Sequence, residues 1–197
     1  HLELPEDVAK ADTCGRPFEP ASLRLPSPPD RVLDGAAELI DEAERIIILA
    51  GHGAVRCDAS SELAAFVDEL GIPVISTPNA KGVLPFDHPC FWYTADIHCE
   101  SESLEPLKNA EVVIALGYEM DEFPPDLWNP EGMVKIIHMS ASPAEINRNY
   151  QVSVEVVGDI RDSLRNLRSM VRKRNFSRAF SPYKEKIYQT LSQFEND

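Results

Sequence analysis

The stretch IIILAGHGAVR, Ile46 to Arg56, decides how this chain folds. Ile46 to Ala50 is an unbroken apolar run, the signature of a strand buried on both faces of a parallel sheet. Gly51, His52 and Gly53 follow, and two glycines let the backbone turn sharply and present amide groups at the strand end. Ala54, Val55 and Arg56 then start a helix. Strand, glycine turn and helix in that order open a nucleotide-binding type of α/β domain.

The same alternation recurs on either side. Asp30 is expected to cap a helix running to about Arg45, with Val32, Leu33, Ala36, Ala37, Leu39, Ile40 and Ala43 on one buried face. Ser60 to Leu70 repeats the helical spacing, Gly71 ends it, and Ile72 to Ser76 reads as the next strand. Glu105 to Ala110 reads as a short helix end, followed by strands at Val112 to Leu116 and Val134 to Met139. Pro143 to Asn149 reads as a helical turn, Val152 to Val157 as a further strand, and Asp159 as the cap of a helix through Arg172. The fold class is α/β: a Rossmann-like parallel sheet with helices on both faces.

The flanks differ from this core. HLELPEDVAKAD, residues 1–12, alternates apolar and polar like the last strand of a preceding unit, so the chain is expected to start inside something larger. Residues 13–30 carry Pro17, Pro20, Pro26, Pro28 and Pro29 and read as an extended linker. Residues 31–174 form the central domain. Residues 175–197 read as an amphipathic helical connector, with Phe180, Tyr183, Ile187, Leu191 and Phe194 at helical spacing.

Composition narrows the partners. The chain has 197 residues, with 33 acidic against 19 basic side chains and a net charge of −14. That balance disfavours nucleic acid and anionic membranes, leaving a small molecule or another protein. Arg161, Arg165, Arg168, Arg172, Lys173, Arg174 and Arg178 crowd one segment and read as a solvated helix face. Cys14, Cys57, Cys90 and Cys99 form no CxxC pair and are read as reduced thiols of a cytoplasmic protein. No run approaches the ~20 apolar residues of a membrane span.

The chemical motifs are incomplete. A dinucleotide fingerprint needs GxGxxG and an acidic residue after the second strand; here Arg56 replaces the third glycine, and Ser76, Thr77, Pro78 and Asn79 carry no carboxylate. Arg56 and Lys81 are candidate anion contacts, each with a bland reading as a surface cation. His52, His88, His98 and His138 are too scattered for a metal site, so none is expected. Glu119, Asp121 and Glu122, beside Gly117 and Tyr118, read as a solvated acidic loop rather than a pocket wall.

The order of motifs resembles the central domain of thiamine diphosphate-dependent enzymes, specifically those similar to the acetolactate synthase large subunit. The matching stretches are LELPEDV (Leu2 to Val8), AGHGAVR (Ala50 to Arg56), ELGIPVISTPNAKGVLPFDHP (Glu69 to Pro89), ALGYEMDE (Ala115 to Glu122), IIHMSASPAEINRNY (Ile136 to Tyr150) and VVGDI (Val156 to Ile160). The resemblance implies about six parallel strands between two flanking thiamine diphosphate-binding domains of the same chain. It implies a parent that binds thiamine diphosphate and Mg2+ outside residues 1–197, acts on 2-oxo acids such as pyruvate, and assembles as a homodimer or homotetramer. Residues 1–197 are then expected to carry no catalytic residue.

Members of this family often hold FAD on the central domain. The resemblance carries Gly51, His52, Gly53, Thr77 and Asp159 over as a vestigial FAD or ADP site. The chain departs from the pattern around Tyr93 to Cys99, at Glu119 to Glu122 where an Asp-Asp-Arg stretch is expected, and at Ser140 where an aspartate is expected. Losing an arginine while adding acids would repel a diphosphate, so FAD is not expected. Two rivals of other classes remain: a freestanding flavin or adenine-nucleotide module, which would purify yellow or release nucleotide, and an NAD-dependent deacylase, which would need paired zinc cysteines.

Overall fold

The computed structural model describes residues 3–12, 15–19, 24–95, 104–173, 175–176, 183 and 185. Among these, six strands form one all-parallel sheet: β1 (Ile46–Ala50), β2 (Val74–Ser76), β3 (Phe91–Thr94), β4 (Val112–Leu116), β5 (Lys135–Ser140) and β6 (Val152–Val157), in the order β3-β2-β1-β4-β5-β6. The order reverses between β1 and β4, and a doubly wound sheet opens a crevice at that switch point.

β1 is central because every residue in it is buried. Ile46, Ile48 and Ala50 enter one core cluster while Ile47 and Leu49 enter the other, the period of two that a pleated strand imposes. The first cluster lies under α2 (Asp30–Glu42), the short α3 (His52–Arg56), α4 (Ser60–Leu70) and α7 (Ile160–Met170). Each leucine or isoleucine that these helices bury contributes about 1.5–3 kcal/mol. The opposite face is covered by short turns, α5 (Glu105–Lys108) and α6 (Pro125–Trp128), and by aromatic rings. Trp128 meets Tyr118 edge-on at 6.0 Å and Tyr150 at 6.2 Å. Rings of this size each bury about 150–250 Å².

Several boundaries move from where the sequence puts them. Asp30 is not the cap of α2: Pro29 holds that position without a side-chain bond, and Asp30 sits in the first turn. The helix stops at Glu42, and the Glu111 carboxylate takes the amide of Glu44 at 2.7 Å. β2 starts only at Val74, because Pro73 has no amide to donate. The sequence reading assigns no element to Phe91–Thr94, the strand β3, four residues being too few to show a period. Residues 143–149 make no helical turn; the Asn147 side chain accepts the amides of Asn149 and Tyr150, both at 2.8 Å, and Glu155 takes the Ala144 amide. Such local bonds compete directly with a helix. Residues 3–12 form no strand either. α1 (Glu6–Ala9) is a single exposed turn.

Gly71 and Asp159 end and start their helices as expected. Gly71 adopts φ of 65° after α4, and Asp159 caps α7. The basic face of α7 is not merely solvated: Arg165 pairs with Glu62 at 2.8 Å, Arg168 with Glu69 at 3.7 Å and Arg172 with Asp41 at 3.5 Å. The end of the proline-rich stretch lies on the turn before α7, where the Pro26 carbonyl accepts the Asp159 amide at 2.9 Å. Cys14, Cys99, His98 and all of the connector stripe except Tyr183 lie outside the described residues; Tyr183 packs on the aromatic cluster. No described helix is long and apolar enough to cross a membrane.

Gly117 and Gly82 both have positive φ, 57° and 89°, but differ in surroundings. A Cβ on Gly117 would overlap the Ala54 amide nitrogen, whereas one on Gly82 meets nothing within 4 Å. Gly82→Ala should cost about 1 kcal/mol of backbone strain. Gly117→Ala should cost roughly 3 kcal/mol or more, lowering Tm by about 6–12 °C in thermal melts monitored by circular dichroism.

Candidate functional site

The glycine turn is locked from within. The Gly51 amide donates to the Leu116 carbonyl at 2.9 Å and the Gly53 amide to the Gly117 carbonyl at 2.8 Å. Both glycines are required by close approach: a Cβ on Gly51 would stand 2.5 Å from the Tyr118 Cα, and one on Gly53 2.8 Å from the Gly117 Cα. The sequence reading presents these amides at the strand end; two of the three are given to the last residue of β4 and to the glycine that follows it.

The third amide, of His52, donates to both oxygens of the Glu122 carboxylate at 3.0 Å. The Thr77 hydroxyl donates to Glu122 Oε2 at 2.5 Å. Gly51, His52, Gly53 and Thr77 thus gather at the carboxyl ends of β1 and β2 around an internal anion. Asp159 is not part of that cluster, since it stands at the end of β6, three positions from β1 in the sheet. Its Oδ1 accepts the Arg161 amide at 2.9 Å and its Oδ2 accepts the Arg161 guanidinium at 2.7 Å. That guanidinium bond is the main reason its carboxyl is held below the usual value, with burial opposing.

Glu119 and Asp121 do line a cavity, contrary to their reading as a solvated loop. The cavity measures about 340 Å³ and lies between the ends of β4 and β5, walled also by Tyr118, His138, Glu145 and Tyr150. Burial lowers the His138 pKa, so the ring is neutral near pH 7. Its Nε2 lies 3.0 Å from the Ser142 carbonyl, which can only accept, so Nε2 carries the proton and Nδ1 accepts from the Tyr150 hydroxyl at 2.9 Å. Burial raises the hydroxyl pKa values of Tyr118 and Tyr150, so both stay protonated.

The other candidates disperse. His52 is exposed, His88 lies 3.3 Å from Asp68, and no group of three or more His, Cys, Asp or Glu among the described residues could hold a metal ion. Arg56 and Lys81 are both exposed. Cys57 and Cys90 are half-buried; the Cys90 thiol donates to the Val67 carbonyl at 3.5 Å, and burial pushes the Cys57 thiol up.

A sheet of this order with a glycine turn at its switch point defines a Rossmann-like α/β domain. Residues 33–167 match the family model for the central domain of thiamine pyrophosphate enzymes, and the chain belongs to that family. It is 32% identical over 180 residues to an acetolactate synthase large subunit of Corynebacterium glutamicum, covering 84% of this chain and 27% of that protein. It is 34% identical over 175 residues to a probable acetolactate synthase large subunit of Methanocaldococcus jannaschii, covering 85% and 30%. An acetolactate synthase of Mycobacterium leprae is 29% identical over 185 residues, covering 87% and 28%. The chain therefore spans less than a third of the length of these relatives.

The residues present do not fit the diphosphate of a flavin. A phosphate oxygen about 4 Å from the Glu122 carboxylate would be repelled by about 4 kcal/mol near a protein surface, close to a thousandfold in affinity. The neighbouring cavity adds Glu119, Asp121 and Glu145 and, among the described residues, no lysine or arginine. Glu122 escaped the sequence reading as a structural residue because its partners lie 45 and 70 positions away.

Asp159→Ala removes a helix cap and should cost about 1 kcal/mol, or about 2–4 °C in Tm at pH 7. Because the folded pKa lies below the ordinary 3.8, this contribution is complete above that pH and is lost as pH falls through the folded value. Melts of the two proteins as a function of pH should therefore differ by a constant amount from pH 7 to 5 and converge at the acid end.

Proposed function

We propose that this chain is the central, spacing domain of a thiamine diphosphate- and Mg2+-dependent enzyme of the acetolactate synthase type, acting on 2-oxo acids with pyruvate as the leading substrate. In such an enzyme the cofactor supplies the electron sink for decarboxylation and carbon–carbon bond formation, a transferase or lyase reaction. Residues 31–174 act as the scaffold. Residues 13–30 link it to the pyrimidine-binding domain to which residues 1–12 belong, and residues 175–197 connect it to the domain that follows. The parent is a cytoplasmic homodimer or homotetramer whose flanking domains hold the cofactor and the metal.

One observation carries the scaffold reading. The polar groups that a Rossmann-like domain offers at its switch point are here bonded to each other: Gly51 to Leu116, Gly53 to Gly117, and His52 and Thr77 to Glu122. A site whose donors are already engaged by its own backbone and side chains supports positioning rather than chemistry. Its loops at the carboxyl edge are placed to shape the mouth of an active site built by neighbouring domains.

The test compares the 197-residue chain with its complete reading frame, each given pyruvate, thiamine diphosphate and Mg2+. The complete protein should form acetolactate or release carbon dioxide, and the chain alone should do neither. Turnover by the chain alone would overturn the scaffold role, and a complete protein inert toward 2-oxo acids would overturn the proposed activity.

A further inference from the structure

We propose that Glu122 is the selectivity residue of the switch-point crevice: an anion supplied by the chain itself, which closes the domain to ligands carrying a diphosphate. In a doubly wound sheet the crevice outside the carboxyl ends of the strands, where their order reverses, is the general ligand position. Here that position lies between β1 and β4. Glu122 follows β4, and its carboxylate crosses to the His52 amide after β1 and the Thr77 hydroxyl after β2. One side chain thereby ties together the ends of three adjacent strands.

The chemistry of the contact is that of a bound anion. An amide shared between two oxygens at 3.0 Å and a hydroxyl at 2.5 Å are the donors that a phosphate or carboxylate of a ligand would seek. Space agrees with charge, because an added Cβ on Gly51 would lie 2.9 Å from Glu122 Oε1. Ser76 and Thr94, further along the same edge, are hydrogen-bonded to each other at 2.9 Å, so one of their two hydroxyl protons is already engaged. The remaining charges near the end of β4, Glu119 and Asp121, have the same sign as Glu122 and reinforce the exclusion.

This inference is independent of the thiamine reading, since its test follows binding and melting of the chain itself. ADP and FAD are titrated into the unaltered chain by calorimetry, with no saturable binding expected up to millimolar ligand. Glu122→Ala should lower Tm by roughly 2–4 °C by leaving the His52 amide and Thr77 hydroxyl without their acceptor. Inorganic phosphate or formate should then restore Tm in a saturable way in the variant, chloride should not, and the unaltered chain should respond to none of them. Saturable ADP or FAD binding by the unaltered chain would overturn the proposal without any variant. So would a folded Glu122→Ala protein that melts like the parent or gains nothing from phosphate and formate.

Discussion

The structure depends on how the turn after β1 interlocks with the end of β4. Gly51, Gly53 and Gly117 bring two backbones closer than any side chain allows, and the two amide bonds to Leu116 and Gly117 become possible only at that separation. The contact joins the two central strands where the chain reverses its winding direction. Everything outward of it, β2 and β3 on one side and β5 and β6 on the other, adds to an already fixed pair. A parallel sheet has no hairpins to set register locally, so such a point of close approach fixes the register between strands far apart in sequence.

The interlock also gives the glycine-rich turn a structural role that involves no nucleotide. In a dinucleotide site the glycines admit a ligand's phosphates to the backbone. Here they admit another segment of the same protein, and Glu122 supplies the negative charge that the exposed His52 amide requires. The requirement for glycine survives while the reason for it changes. A glycine motif alone therefore says that something approaches the backbone closely, not what that something is.

Much of the fold was legible in the sequence because buried strands and amphipathic helices write their environment into local periodicity. Ile46–Ala50, Val112–Leu116 and Val152–Val157 appear where their apolar runs place them, and Ser60–Leu70 ends at Gly71 because only left-handed backbone follows it. What stayed hidden depends on distant partners. Phe91–Thr94 becomes a strand because β2 offers it an edge, and Asn147 abolishes a helical turn through bonds that no spacing reveals. The site was the least legible part. Gly51, His52, Gly53 and Thr77 do converge, but the residue that organises them looked like one acid among 33.

Among the described residues the two faces of the sheet are covered differently, by longer helices on one and by short helices with aromatic rings on the other. Both tryptophans of the chain, Trp92 and Trp128, belong to the aromatic face, and both are buried. Trp128 packs edge-on against both Tyr118 and Tyr150, which touch each other and line the acidic cavity. The molecule thus carries an optical label confined to one side. Tryptophan emission follows the aromatic layer and the cavity beside it, while far-ultraviolet dichroism is dominated by the helical layer, so the two layers can be watched separately as the protein unfolds.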